Sequence, residues 1–108
     1  MAGTTCSIRV INNFKDFNQT WEVCFDGTTL FDAMLTLQTQ DATFSFASEP
    51  YPVLGHFIVS ICHMVACDGQ YWQILEPDGT PSKHGVDGIK PENNSRYTFN
   101  LTTVDECN

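Results

Sequence analysis

The hydrophobic pattern of the first forty residues predicts a β-hairpin followed by a helix. Residues 6–12 ("CSIRVIN") alternate Ile8 and Val10 with polar positions, which is typical of a half-buried strand. "NNFKDFN" supplies a turn, and residues 20–25 ("TWEVCF") return as a second strand. The apolar period then becomes helical over 28–40 ("TTLFDAMLTLQTQ"), where Thr29 and Asp32 are spaced as a capping box.

Period two returns in the second half of the chain and predicts further strands. "TFSFA" (43–47) is one, and "LGHFIVSIC" (54–62) and "CDGQYWQIL" (67–75) read as two strands joined by the turn "HMVA". Residues 76–95 are rich in Gly and Pro without apolar periodicity, which predicts a long ordered loop. "RYTFNLTTV" closes the chain as a strand with Tyr97, Phe99 and Leu101 on one face.

The order of these elements predicts an α+β fold. One helix among these strands favours a β-grasp-like mixed five-stranded sheet with the helix packed on one face. In that arrangement the last strand runs beside the first, in the middle of the sheet. The length of 108 residues matches one domain, residues 1–108, with one modest core.

Composition and charge exclude several classes of function. The net charge of −8 leaves no basic stripe for nucleic acid or for an anionic membrane surface. The longest apolar run, near residues 57–61, is too short to span a bilayer. The sequence also has no G-x-S-x-G, H-E-x-x-H or phosphate-binding glycine pattern, so we expect a protein that is not an enzyme.

Cysteines and glycosylation sequons indicate a secreted protein. Five cysteines occur, at positions 6, 24, 62, 67 and 107, together with sequons that begin at Asn18, Asn93 and Asn100. Asn-x-Ser/Thr marks sites of N-glycosylation, and cysteine-rich small domains are typical of oxidising compartments. We therefore expect an extracellular glycoprotein with disulfide bonds.

The predicted strand pairs suggest which cysteines are bridged. Cys62 and Cys67 flank a four-residue connection and face each other across an antiparallel pair, within reach of a disulfide. Cys6 begins the first strand and Cys24 ends the second, so we expect them to pair as well. Cys107 is then unpaired within the chain, either free or linked to another chain. A zinc site at the C-H-x3-C segment is less well matched, because zinc ligands usually come as two spaced pairs.

The second half of the chain resembles a known family. "YWQIL", then "TP", "GVDGIKP" and "YTFNLTTV", are similar to the end of the vertebrate cobalamin carriers, namely intrinsic factor, transcobalamin and haptocorrin. The helix, the "FSF" strand and the Gly before an aliphatic strand follow the family upstream. The resemblance covers about residues 6–104.

The resemblance implies a fold and a ligand. In the family a small C-terminal domain of β-grasp character closes over cobalamin, which lies between it and an N-terminal α/α-barrel that this sequence lacks. An indole suits the apolar face of a corrin, and an amide side chain suits its rim of amides. The binding residues carried over to this chain are Tyr71, Trp72, Gln73, Ile74, Leu75, Thr80, Pro81, Leu54, Gly55, His56 and Phe57.

Departures from the family leave a second hypothesis open. Leu54 stands where an aromatic residue can occur, His56 stands where an aliphatic one can, and "EPDG" adds an acidic turn. The alternative is a secreted interaction or signalling module that kept the fold and lost cobalamin binding. Trp72 is then plain core rather than part of a binding surface.

Under the first hypothesis, Trp72 and Gln73 lie beside a concave surface formed with residues 54–57 and 76–84. Half of a two-domain site should bind a corrinoid weakly. The expected dissociation constant is micromolar at best, which corresponds to a binding free energy of about −8 kcal/mol. A second protein, or a second copy of this chain in a homodimer, is expected to complete the site.

Overall fold

One helix and seven strands make up the described chain. The computed structural model describes residues 3–51, 55–67 and 69–103. In chain order the elements are β1 (Thr4–Asn12), β2 (Phe17–Phe25), α1 (Leu30–Gln40), β3 (Phe46–Tyr51), β4 (Gly55–Ile61), β5 (Met64–Val65), β6 (Gln70–Leu75) and β7 (Ser95–Thr103). The α+β class, the opening hairpin and the helix predicted from the sequence are confirmed.

A four-stranded mixed sheet contains both ends of the described chain. Its order is β2-β1-β7-β6, with β1 and β7 parallel and the other pairs antiparallel. The closing strand therefore lies beside the first, in the middle of the sheet, as the β-grasp arrangement requires. Alternate residues of β1 and β7 point inward, and Ile8, Val10 and Phe99 are fully buried. This face and the apolar side of α1 (Leu30, Ala33, Met34 and Leu37) form the core.

The predicted single five-stranded sheet is wrong, because β4 does not pair with β6. Strands β3, β4 and β5 form a separate three-stranded sheet. The cause is a two-residue turn at Cys62 and His63, both in the left-handed region with φ of 51° and 66°. Such a turn folds the chain back at once, so that Ile61 faces Met64. The sequence holds no Asn-Gly there to signal this turn, so the turn predicted at "HMVA" lies one residue too late and includes β5.

The strand predicted at "TFSFA" begins later than its pattern indicates. β3 starts at Phe46, and Phe44 is buried in the connection before it, at the edge of the Trp21 ring with centroids 5.1 Å apart. The Trp21 Nε1 donates to the Thr43 hydroxyl at 2.9 Å. Phe44 thus serves as a core residue outside regular structure.

Neither predicted disulfide is present in the structure, in which the four described cysteines are free thiols. In the β1–β2 register Cys6 faces Val23, while Cys24 faces Thr5. This offset of one residue puts Cys6 in the core and Cys24 on the exposed face, so their side chains diverge. Cys62 lies within the tight turn rather than opposite Cys67, and its thiol approaches the Thr43 carbonyl oxygen at 3.4 Å. Cys107 lies outside the described residues.

The start of α1 is held by its own capping box and by the loop of residues 85–89. Thr29 and Asp32 form the reciprocal box that their spacing predicted. Backbone hydrogen bonds from Thr28 and Thr29 lower the pKa of Asp32 below its ordinary value. The N–H of Leu30 donates to the Ile89 carbonyl at 2.8 Å, and that of Phe31 donates to the Val86 carbonyl at 3.2 Å. The helix therefore fixes this loop beside β4.

No helix in residues 3–51, 55–67 and 69–103 is long and apolar enough to cross a membrane.

Candidate functional site

A cleft of about 260 Å³ lies where the two sheets meet. Residues 56–58 of β4 form one wall, residues 71–74 of β6 form another, and loop residues 81–86 contribute the rest. This volume is below the range of about 300–1,000 Å³ typical of sites that enclose a small molecule. The cleft is therefore too small to enclose a typical small-molecule ligand.

Trp72 belongs both to the core and to the cleft. It is 5% exposed and packs in the hydrophobic cluster, and it also lines the cleft. Its Nε1 is a buried hydrogen-bond donor without an acceptor among the described residues. A buried polar group normally has a partner, since leaving one unpaired costs about 1–3 kcal/mol. Trp21, the other tryptophan, has its Nε1 satisfied by Thr43.

The open edge of β6 adds backbone groups to this side of the cleft. β6 is the last strand of its sheet. The Gln70 N–H donates to Cys67 and the Ile74 carbonyl accepts from Ser82, both away from β7. Because N–H and C=O alternate in direction along a strand, those of Trp72 point to the same open edge. Trp72 thus offers a backbone donor and acceptor there, which suits amide groups of a ligand.

His56 is held against the cleft by Asp87 and Phe31. Its Nδ1 lies 3.0 Å from Asp87 Oδ2, and the same carboxylate oxygen accepts the His56 backbone N–H. The Phe31 ring stacks on the imidazole with centroids 4.0 Å apart and planes 9° apart. The Nδ1 contact and the stacking on Phe31 therefore fix the orientation of the imidazole ring, the second bond fixes its backbone, and about a third of the side chain stays exposed.

Gly55 allows this close approach. Its φ of +85° lies in the region that favours glycine, and a Cβ at this position would collide with Asp87 Oδ2. The family resemblance placed Gly55 among the binding residues, and a glycine permits close backbone approach. In the structure the approach is to the Asp87 carboxylate, and Gly55 does not line the cleft.

Most of the residues that the resemblance named lie at the cleft. His56, Phe57, residues 71–74 and Pro81 line it. Gln73 and Tyr71 share one face of β6, with the amide Nε2 3.5 Å from the phenol oxygen. Leu54 lies outside the described residues.

Leu75 and Thr80 are not among the lining residues. Leu75 bridges to Pro81, and the Thr80 hydroxyl and N–H donate to Asp78 at 2.7 and 3.0 Å. These bonds, the hydroxyl's first, lower the pKa of Asp78. Thr80 therefore closes the "EPDG" turn and supports the cleft only through it.

Sequence reasoning missed the contribution of the loop. Val86 is fully buried, lines the cleft and anchors the helix start, and Asp87 orients His56. Val86, Asp87 and Ile89 all lie in the segment 76–95, whose lack of apolar periodicity predicts only a loop. The "GVDGIKP" block of the family resemblance was the signal that could have identified them.

A metal ion would find few ligands among the described residues. No group of three or more His, Cys, Asp or Glu side chains is placed there to hold one. His56 and Asp87 are a pair, and Asp87 is engaged with Nδ1 and a backbone N–H.

Comparisons with known proteins agree with this architecture. The sequence matches no protein-family model and no curated protein sequence. The structure is similar to that of haptocorrin in complex with Cbi, with a TM-score of 0.81 and 20% identity over 95% of this chain. The chain spans 26% of the haptocorrin chain.

A second similar structure is a Ruminococcus gnavus protein to which metal binding has been ascribed. Its TM-score is 0.72 at 18% identity, and the match covers 93% of this chain and 97% of that one. At these identities the likeness concerns the fold. The chain has a cobalamin-carrier-like fold.

Proposed function

We propose that this chain is a non-catalytic corrinoid-binding protein and that it holds cobalamin or a related corrinoid in the cleft between its sheets. The observation that carries the proposal is Trp72, whose buried Nε1 has no acceptor among the described residues at a cleft lined by its own indole. The cobalamin-carrier-like fold and the "YWQIL" block support the same ligand. A corrin offers a broad apolar face and amide oxygens, which match the indole and its donor.

The size of the cleft sets the expected affinity. A volume of about 260 Å³ receives an edge or one face of a corrin and leaves the rest in water. The contact free energy must first offset the entropy lost on association, and only the remainder appears as affinity. The dissociation constant should therefore be micromolar or weaker, which corresponds to a binding free energy of about −8 kcal/mol at best. A second protein or a second copy of the chain that covers the other face would raise it.

The test is a calorimetric titration of the chain with cyanocobalamin and with dicyanocobinamide. Trp72→Phe keeps an aromatic ring but removes the Nε1 donor, and we expect about tenfold weaker binding, or 1.4 kcal/mol. Trp21→Phe is the matched control, because it removes an indole that does not line the cleft, and the affinity of this variant should be unchanged.

Two results would contradict the proposal. Absence of saturable binding up to about 1 mM corrinoid would mean that the binding free energy is weaker than about −4.1 kcal/mol. This result would favour the alternative of a protein-interaction module. Equal loss of affinity in the folded Trp72 and Trp21 variants would show that the cleft is not the binding site.

The proposal includes secretion and glycosylation. Asn18 and Asn93 are exposed, whereas Asn100 lies in the central strand β7 and is partly covered. Glycosylation needs an accessible acceptor. Expression through a eukaryotic secretory pathway should therefore yield glycans at Asn18 and Asn93 ahead of Asn100, as site-resolved mass spectrometry would show; an unmodified secreted chain would contradict this part.

A further inference from the structure

His56 is the best-oriented nitrogen donor at the cleft. Its Nδ1 is engaged by Asp87 at 3.0 Å, and Phe31 covers one ring face. Nε2 makes no hydrogen bond to any residue in the described part of the chain. His84 also lines the cleft, but its side chain lies in an exposed loop segment and no hydrogen bond to its ring is present among the described residues.

The Asp87 contact determines which nitrogen is free to bind. When a carboxylate accepts the proton of Nδ1, that nitrogen is the N–H donor and Nε2 keeps its lone pair. The pairing of a carboxylate with a histidine is also the usual outer layer of a metal site, where it fixes the ring and raises its basicity. Hydrogen bonds from α1 to Val86 and Ile89 hold the segment that carries Asp87 in place.

Among the described residues, the cleft offers one oriented imidazole nitrogen rather than a set of metal ligands. No group of three potential ligands is assembled for a free metal ion. A metal inside a macrocycle already has four equatorial nitrogens and lacks only axial ligands, so one oriented imidazole is enough. The donor set of this cleft is therefore suited to a metal that arrives inside its own ring.

We propose that His56 Nε2 is an axial ligand to the cobalt of a corrinoid bound in the cleft, with Asp87 as its positioning residue. The inference rests on the proposed corrinoid binding and specifies how the cleft recognises the metal. The step is a ligand substitution: the Nε2 lone pair forms a bond to Co(III), and a bound water leaves. The Nδ1 proton stays between the ring and Asp87, and no electron is transferred.

The first experiment uses two probes that differ only at the axial positions. Diaquocobinamide has exchangeable water there, and dicyanocobinamide has cyanide at both. Addition of the protein should shift the visible bands of the aquo form and leave those of the cyanide form in place. His56→Gln should abolish the shift, and the control His63→Gln, whose side chain is not among the residues that line the cleft, should retain it. His84→Gln tests the other histidine of the cleft. Asp87→Asn should keep the shift but weaken the binding of the aquo form about tenfold or more.

The second experiment identifies the ligand atom. In the cob(II)inamide form, an axial nitrogen splits each cobalt line of the electron paramagnetic resonance spectrum into three. Protein labelled with ¹⁵N should give two lines instead, because the donor atom then comes from the protein. His56→Gln should remove the splitting in both samples, after circular dichroism has shown that the variant is folded.

The outcomes separate this inference from the proposed function. Saturable binding of diaquocobinamide with identical bands in the native chain and in His56→Gln would overturn the axial ligand and leave corrinoid binding intact. A shift that survives His56→Gln and disappears in His84→Gln would move the ligand to His84 and likewise overturn the proposal. Absence of binding by either probe would overturn both.

Discussion

The two sheets of this protein are built by different means. In the four-stranded sheet, three of the four strands have nine residues, and buried positions alternate with more exposed ones along β1 and β2, as Ile8 and Val10 show. In the three-stranded sheet, β3 has a bulge between Ala47 and Ser48, β5 has two residues, and the connecting turn uses left-handed Cys62 and His63. The first sheet is regular and the second is irregular.

The irregular sheet and the loop of residues 81–87 supply one side of the candidate site, where irregular backbone presents groups that a paired strand cannot. His56 follows a left-handed glycine, and Asp87 reaches it from a loop. β6, the edge strand of the regular sheet, supplies residues 71–74 to the other side of the cleft. Stability should therefore depend mainly on the four-stranded sheet, and ligand recognition on its junction with the other.

The largest expected effect compares one phenylalanine from each sheet. Phe99→Ala empties a fully buried position of β7 and should lower the free energy of unfolding by about 3–5 kcal/mol. Phe57→Ala in β4 removes a ring that is 44% exposed and should cost about 0.5 kcal/mol. Urea denaturation of both variants measures the difference. Similar losses would mean that the two sheets contribute equally.

The next comparison concerns two glycines with positive φ. Gly55→Ala adds a Cβ that meets the Asp87 carboxylate in a left-handed backbone, so we expect a loss of about 2–4 kcal/mol. Gly79→Ala has φ of +91° and open space around the new Cβ, so strain alone should cost about 1–2 kcal/mol. Thermal unfolding of both variants tests this; a Gly55 variant as stable as the Gly79 variant would show that the contact with Asp87 is loose.

A stabilising change should sharpen the contrast at the β4–β5 turn. Replacing Cys62-His63 by Asn-Gly puts residues that favour positive φ into a turn that requires it at both positions. We expect the double variant to gain about 1 kcal/mol. Chemical denaturation provides the measurement, with each single variant as a control. Destabilisation would mean that the contact of the Cys62 thiol with Thr43 outweighs the backbone strain.

The smallest effect is on thiol reactivity. Burial in the regular sheet raises the pKa of Cys6 to about 11, whereas Cys24 and Cys67 are exposed. At pH 8 the thiolate fraction of Cys6 is about 100-fold below that of an ordinary thiol, so iodoacetamide should modify the two exposed thiols first. Peptide mass spectrometry over time distinguishes them. Equal rates at Cys6 and Cys24 would contradict the β1–β2 register.

The same shift has a consequence for stability. The pKa of Cys6 is raised in the folded state, because burial favours the neutral thiol. The contribution of this thiol to the free energy of unfolding is therefore fully present below the ordinary thiol pKa. It is lost as the pH rises from about 9 towards 11, where the unfolded chain ionises first. Cys6→Ala should remove that part of the alkaline dependence.

The local hydrophobic pattern was sufficient to predict an element wherever its buried residues recur with the period of a strand or of a helix. The alternation of Ile8 and Val10 identified β1, the helical stripe from Leu30 to Leu37 identified α1, and Thr29 with Asp32 identified its capping box. The closing strand was equally clear from Tyr97, Phe99 and Leu101. The "YWQIL" block identified β6 as the strand of the candidate site, and four of its five residues line the cleft.

The sequence by itself therefore determined the helix, the longer strands and their order, because these follow from periods of two and 3.6 residues within a few turns of chain. The family resemblance, not a period, indicated the segment that faces the cleft, and the two-residue strand β5 is too short to show a period. Tertiary structure alone decided that β4 leaves the sheet of β6, that Cys6 and Cys24 point apart, and that Asp87 orients His56. These features depend on one-residue registers and on contacts between segments up to 31 positions apart. No local pattern encodes them, since a shift of one residue reverses every side chain while the periodicity stays the same.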